Sequence, residues 1–153
     1  AEAWAGGAVV ARVTLDRDTG AVRVDRIDWA EDAGTIVNPM LVEGQLIGGA
    51  AQGLGAALME RIVYHDGQLL TGSLMDYAVP RAADMPPLRI LKVSSPANAN
   101  ALGARGVGEA GTVGVPAAIL SAVMDALPPD TPDLPLPLTA ERVWRALHGM
   151  DPC

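Results

Sequence analysis

The segment 103–111, GARGVGEAG, holds a single carboxylate among small residues. Glycines on both sides of Glu109 remove Cβ atoms, so a bulky ligand can approach the main chain and the carboxylate can point into its site. A carboxylate removed from water at such a position would suit the role of general base. An acidic residue just before a helix is equally an ordinary partner for the positive end of the helix dipole. The segment by itself leaves both interpretations open.

The other titratable residues form no self-contained catalytic set, and the sequence lacks the GxSxG, P-loop and HExxH motifs. His65, beside a predicted turn, and His148, near a predicted helix end, are expected to be exposed. Glu31 and Asp32 are adjacent, so in a strand their side chains diverge and they make poor acid–base partners. Cys153 is the only cysteine, which excludes an internal disulfide, and no Cys/His cluster predicts a zinc or iron–sulfur site.

The composition predicts a folded domain. Of 153 residues, 50% are hydrophobic and 19% are charged, which is enough apolar material for a core. The net charge of −7, with no run of basic residues, argues against nucleic acid or an anionic membrane as a partner. The beginning of the sequence has no pattern of a secretory signal, and the least polar stretch, 44–59, is shorter than the ~20 apolar residues that span a bilayer. We therefore expect a soluble protein without a membrane span.

Two segments near the beginning predict a β-hairpin. Residues 8–15 and 21–29 alternate apolar and polar side chains on either side of Asp18-Thr19-Gly20. A helix is then predicted from Asn38 and Pro39, since Asn caps free N–H groups and Pro suits the first helical position.

This first helix is rich in glycine at four-residue spacing, in the pairs 44/48 and 49/53. Small residues at this spacing either let another backbone pack closely or let a bulky ligand approach the main chain, and the spacing favours close packing.

The rest of the chain predicts short strands and two more helices. The predicted features are a hairpin turn at 66–67, a surface connection over 72–87, a strand over 88–95, a loop over 96–116, a helix over 112–127 with Pro116 near its first turn, and a final helix over 140–150. Thr139 is expected to cap that last helix, with Val143, Trp144 and Leu147 on one face. The fold class is therefore α+β: β-hairpins and short strands packed with a long Gly/Ala-rich helix and two C-terminal helices, without an internal repeat or a domain boundary.

Four segments together indicate a family. The sequences DAGTIVNPMLVEGQLIGGAAQGLGAALME, GQLLTGSLMDYAVPRA, GARGVGEAGTVGVPAAILSAVMDAL and PLTAERVWRAL occur in this order and cover nearly the whole chain. The chain resembles the C-terminal part of the molybdopterin-binding large subunit of the xanthine dehydrogenase/aldehyde oxidase family, the molybdenum hydroxylases. Within that family it is most similar to bacterial relatives of the carbon monoxide dehydrogenase large subunit.

The resemblance implies a role for each motif. The glutamate of GVGE, here Glu109, is implied to be the catalytic base, which takes a proton from a hydroxide on molybdenum while an electron-poor carbon is hydroxylated. Gln45, in GQLIGG, is implied to lie close to the molybdopterin cofactor, and Gly106, Val107 and Gly108 to pass beside the metal with their main chain shaping its pocket. Gln52 is a weaker candidate for a cofactor contact, because an amide equally suits a structural position. No residue of this chain is implied to ligate the metal.

The resemblance also implies cofactors and partners. The cofactor is molybdopterin with Mo, in the cytosine dinucleotide form that bacterial relatives favour, and the electrons leave through 2Fe–2S clusters and FAD on partner subunits in the cytoplasm. Large subunits of the family are several times longer than this chain and use upstream segments for the pocket. We therefore expect residues 1–153 to be a single C-terminal segment of an incomplete molybdopterin-binding domain that is inactive alone. The alternative is a non-catalytic α+β fragment or interaction module, for which a large exposed apolar surface would be the sign.

Overall fold

The computed structural model describes residues 3–152, so Cys153 lies outside the described residues. The elements in chain order are β1 (Gly6–Leu15), β2 (Val22–Asp32), α1 (Pro39–Leu58), β3 (Tyr64–His65), β4 (Gln68–Leu69), a 3-10 turn (Ala82–Asp84), β5 (Leu88–Val93), α2 (Ala110–Ala126) and α3 (Ala140–Leu147). The predicted α+β class is confirmed.

The first two strands form the predicted hairpin. β1 and β2 pair antiparallel from Gly6 opposite Asp32 to Leu15 opposite Val22. The hairpin turn is closed by the Asp16 side chain, which accepts hydrogen bonds from the two backbone N–H groups that follow Arg17. β5 then adds to β2 in parallel, which gives a three-stranded sheet of order β1–β2–β5.

The second hairpin is confirmed but very short. β3 and β4 pair through Tyr64 opposite Leu69 and His65 opposite Gln68. The two turn residues, Asp66 and Gly67, have φ angles of 48° and 79°, the left-handed conformation that tight two-residue turns need.

α1 begins where the sequence predicted. The Asn38 side chain accepts hydrogen bonds from the N–H groups of Met40 and Leu41 at 3.1 and 3.2 Å, and Pro39 occupies the first helical position.

The other two helices differ in extent from the prediction. α2 begins at Ala110, two residues earlier than expected, so Pro116 lies beyond its first turn. α3 is capped by Thr139, whose side chain accepts from the N–H of Arg142 at 3.3 Å, and it ends at Leu147 rather than at residue 150. Of the predicted face of α3, Val143 is fully buried, whereas the other two members, Trp144 and Leu147, are partly buried.

The core lies between one face of the sheet and the pair α1 and α2. Alternation along β2 directs Ile27 and Trp29 into it, where they pack with aliphatic side chains of both helices, such as Leu46, Leu54 and Ile119. Among the helices of residues 3–152, none combines the length and the apolar character that crossing a bilayer requires.

Candidate functional site

Two of the α1 glycines allow α1 and α2 to pack backbone to backbone. A Cβ atom on Gly111 of α2 would lie 2.6 Å from the Cα of Gly49 and 2.5 Å from the backbone N of Ala50. A Cβ on Gly53 would meet the Gly111 carbonyl oxygen at 2.7 Å and Val115 Cβ at 2.8 Å. These distances are too short for any side chain, so the pair 49/53 serves close packing, as the spacing favoured.

The other pair of α1 glycines is open. Added Cβ atoms on Gly44 and Gly48 would have no neighbour within 4 Å in the described part of the chain. The same holds for Gly106 in the segment before α2. The 49/53 pair is therefore used for close packing, whereas the 44/48 pair leaves the α1 main chain accessible in the described part of the chain.

The segment before α2 is held by the segment after β2. The N–H of Arg105 donates to the Ala33 carbonyl oxygen at 2.9 Å, and the N–H of Thr35 donates to the Gly103 carbonyl oxygen at 2.9 Å. The Arg105 guanidinium donates to the Ser95 carbonyl oxygen at 3.0 Å. Two motif segments that lie far apart in sequence, DAGT and GARGVGE, are thus joined in space.

The Asp32 side chain stabilises the contact between these two segments. Its Oδ1 accepts hydrogen bonds from the N–H groups of Gly34 and Ser95, both at 2.9 Å, and its Oδ2 lies 3.8 Å from Arg105 Nε. These two backbone hydrogen bonds lower the pKa of Asp32, and the one from Ser95 has the larger effect. The positive charge of Arg105 lowers this pKa further. Asp32 is therefore a structural carboxylate at the base of the candidate site.

Glu109 is the N-cap residue of α2. It has φ −95° and ψ −16°, and its side chain makes no capping hydrogen bond. It forms none of the salt bridges found within residues 3–152. The carboxylate is exposed rather than removed from water, so the burial expected at this position is not supplied by the described part of the chain.

The Glu109 carboxylate borders a cleft of about 520 Å³ between β1, β2 and the first turns of α2. The cleft is lined by both apolar and acidic side chains, among them Trp4, Val9, Trp29, Glu31, Glu109 and Val113. The volume is in the range of small-molecule sites, and two carboxyl groups are the only titratable side chains among the described lining residues.

Gln45 lies next to the GVGE segment. A Cβ atom on Gly108 would be 3.9 Å from Gln45 Oε1, and both residues are exposed. Val107 instead packs against the core and anchors the segment. Gln52 is exposed two helical turns after Gln45, on the same side of α1. The structure therefore places Gln45 beside Gly108, with Gln52 farther along the helix.

Glu31 is a candidate site residue that adjacency in the sequence did not single out. Its side chain is only 3% exposed, and its Oε2 accepts a 2.8 Å hydrogen bond from Trp29 Nε1. Side chains alternate along β2, so Glu31 and Asp32 point to opposite faces of the sheet. The same alternation directs Glu31 into the cleft. The available signal was the two-residue period of β2, which places Glu31 on the same face as Ile27 and Trp29.

Burial raises the pKa of Glu31, chiefly because the carboxylate loses hydration; the Trp29 indole N–H opposes this rise, and the negative charge of Asp32 adds to it. Space for the carboxyl comes from Gly7, its partner in the β1–β2 register, since a Cβ atom there would overlap Glu31 Oε2.

Residues 1–86 match the family model of the molybdopterin cofactor-binding domain, which is more than half of the chain. The chain belongs to this family, and its relatives are large subunits of molybdenum-containing oxidoreductases.

The similarity to individual relatives covers most of the chain. It is 44% identical over 140 residues to the nicotine 6-hydroxylase large subunit of Paenarthrobacter nicotinovorans, which covers 90% of this chain and 17% of that protein. It is 36% identical over 137 residues to the carbon monoxide dehydrogenase large chain of Hydrogenophaga pseudoflava, covering 88% of this chain and 17% of that protein. The crystal structure of the Cu,Mo-CO dehydrogenase in its carbon monoxide reduced state superposes with a TM-score of 0.90 at 31% identity, over 95% of this chain and 18% of that one. The chain thus spans less than a fifth of the length of these relatives.

Proposed function

We propose that this chain is the C-terminal segment of the molybdopterin-binding large subunit of a molybdenum hydroxylase, with Glu109 as its general base. The substrate class is an electron-poor carbon in an aldehyde, an N-heterocycle or a purine, with water as the oxygen source. The observation that carries the proposal is that Gly106, Gly108 and Glu109 line one cleft, with Gln45 beside Gly108 and open space at Gly106.

The residues at this junction fit a pterin cofactor. Added Cβ atoms at Gly106 before α2, and at Gly44 and Gly48 on α1, would project into open space, so a flat ligand can lie against the main chain at each of these places. The Gln45 amide offers two donors and an acceptor beside Gly108, which suits the polar edge of a pterin. Gln45 would hold that edge, and the segment 106–108 would line the pocket.

The bound cofactor, proposed as the cytosine dinucleotide form, supplies oxidation of the substrate carbon, and its electrons leave through 2Fe–2S and FAD groups on partner subunits in the bacterial cytoplasm. Glu109 accepts, at a carboxylate oxygen, the proton that the water-derived oxygen loses as it attacks the substrate. Because the side chain is not tied down by a capping hydrogen bond or an ion pair, it is free to turn toward a reacting group.

The site needs walls from the remainder of the large subunit. Glu109 is exposed, and large apolar side chains are exposed in several places, among them Met40, Leu74 and Met75, the last two 84% and 94% exposed. Protein that covers these side chains would also shield the cleft from water, which strengthens electrostatic interactions with the carboxylate. We therefore expect residues 1–153 alone to be inactive.

The test is a Glu109→Gln substitution in the assembled enzyme. The variant should fold and bind cofactor but lose turnover by about 10²–10⁴-fold, since this is what a positioned general base contributes. Glu141→Gln is the matched control, because Glu141 is an exposed acid on α3, paired with Arg145 at 2.8 Å and absent from the residues that line the cleft. Turnover of Glu109→Gln equal to that of the control would remove Glu109 from the mechanism.

The second candidate is a non-catalytic scaffold or interaction module, which the exposed apolar side chains also favour. Metal analysis of the assembled protein separates the two. Stoichiometric molybdenum with pterin fluorescence supports the enzyme, and a colourless protein without metal supports the scaffold.

A further inference from the structure

Glu31 is a buried acid with half of its hydrogen-bonding capacity unused. Its Oε2 accepts from Trp29 Nε1, whereas Oε1 is buried without a hydrogen-bond partner in the described part of the chain. A buried polar atom without a partner is rare in folded proteins and calls for a ligand or a water. Glu31 also lines the cleft that Glu109 borders, and because Oε1 is covered in the empty cleft, a ligand reaches it as the surrounding side chains shift.

No cation within residues 3–152 neutralises Glu31. The nearest basic side chains are committed elsewhere: Lys92, its partner on β5, binds Glu43 at 2.9 Å, and Arg105 lies beside Asp32. The other titratable group facing the cleft is Glu109, which is also acidic. An unpaired carboxylate in such a place is costly, so burial shifts the equilibrium of Glu31 toward the uncharged acid.

The uncharged acid has one donor to offer. Since Oε2 is occupied as an acceptor by the Trp29 indole, the proton sits on Oε1, the oxygen without a partner. The cleft around it is largely apolar, with Trp4, Val9 and Val113 among its lining residues. An apolar cleft with one buried donor is suited to an uncharged ligand that carries a single acceptor.

We propose that Glu31 is a ligand-binding residue that donates a hydrogen bond from its uncharged carboxyl to a carbonyl oxygen or aromatic ring nitrogen of a neutral, mainly apolar ligand in the Glu109 cleft. The identification of this ligand as the substrate rests on the proposed function, because Glu31 and Glu109 line the same cleft. Glu31 does not take part in proton transfer. It sets which neutral compounds bind.

The test uses two probes of equal shape, acetophenone and α-methylstyrene, in which a CH₂ group replaces the carbonyl oxygen. Binding to the assembled enzyme is measured by calorimetry, with Glu141→Gln, a substitution outside the cleft, as the control. Acetophenone should bind about fivefold more tightly than α-methylstyrene, the gain expected from one neutral hydrogen bond. Equal affinity of the two probes, or no binding of either, would overturn the proposal.

The variants identify the carboxyl as the source of this preference. Glu31→Leu should lose it, whereas Glu31→Gln should keep it, because an amide can accept from Trp29 and still donate. In the unmodified enzyme the preference should fall as pH rises from the ordinary carboxyl range through the raised pKa of Glu31, and in Glu31→Gln it should not change. If Glu31→Leu does not fold, the glutamine variant and the pH profile decide alone, and a preference that stays constant with pH in the unmodified enzyme refutes the role of Glu31.

These outcomes are separable from those of the proposed function. Glu109→Gln should abolish turnover of the assembled enzyme and keep the preference for acetophenone, whereas Glu31→Leu should lose the preference. Unchanged turnover in Glu109→Gln with an intact Glu31 effect would reject the base and retain the ligand-binding residue.

Discussion

The backbone contact between α1 and α2 provides a sharp test of how the candidate site is positioned. Gly111 lies two residues after Glu109, and its Cα faces Gly49 so closely that a methyl group has no space. We predict that Gly111→Ala forces the helices apart. Gly48→Ala is the matched control, because Gly48 lies one residue before Gly49 and an added Cβ there meets nothing within 4 Å.

The two substitutions should change the free energy of unfolding in opposite directions. Alanine in place of glycine favours a helix interior by about 1 kcal/mol, and this gain applies in full to Gly48→Ala. In Gly111→Ala the new Cβ would lie 2.5 Å from the Ala50 nitrogen, and backbone atoms cannot move aside as side chains do. Overpacking of this kind costs about 1–3 kcal/mol or more, so after the helix gain the net effect should be a loss of up to about 2 kcal/mol.

Urea unfolding of the purified chain, monitored by circular dichroism, measures both changes by linear extrapolation. Gly48→Ala should unfold at a higher urea concentration than the unmodified chain and Gly111→Ala at a lower one, with similar slopes. A Gly111→Ala variant as stable as Gly48→Ala would refute the close crossing and, with it, the placement of Gly108 beside Gln45.

Three further changes test local features. The unmodified chain should lose stability as pH rises from the ordinary carboxyl range through the raised pKa of Glu31, because ionisation of the buried acid opposes folding. Glu31→Gln should not show this loss. Urea unfolding across this pH range measures it, and identical pH profiles of the two proteins would contradict it. Asp32→Asn should reduce the loss of stability at acid pH. The lowered pKa of Asp32 gives stability that is present above the ordinary carboxyl pKa and is lost as pH falls through the lowered pKa. An unchanged loss of stability at acid pH would argue against the hydrogen bonds from Gly34 and Ser95. Asn38→Ala should cost about 1 kcal/mol by removing the α1 cap, measured by thermal unfolding, and an unaltered midpoint would show that the cap is dispensable.

Much of the fold could be predicted because its signals are local. Alternation in 8–15 and 21–29 predicted the hairpin of β1 and β2, and Asn38-Pro39 marked the first turn of α1. The start of α2 was misplaced, because glycines on both sides of Glu109 gave no local preference and the helix is stabilised instead by its packing on α1 and β1.

The candidate site could be predicted only in part. The motif around Glu109 stands out in the sequence, and the structure places this residue beside a cleft and Gln45 beside Gly108. The exposure of Glu109 could not be foreseen from the motif, because burial depends on tertiary contacts that neighbouring residues do not specify. Adjacency to Asp32 indicated only that Glu31 is a poor acid–base partner. The surroundings of Glu31 depend instead on its partner across the hairpin.

The sequence by itself determined the helix and strand segments, the capping residues and membership of the molybdopterin-binding family, since each is written in neighbouring residues or in an ordered set of motifs. Tertiary structure decided which glycines of α1 are packed and which are open, and which of two adjacent acids is buried. The physical reason is that close approach and loss of hydration depend on strand register and helix crossing. Both are set by contacts between residues far apart in the chain.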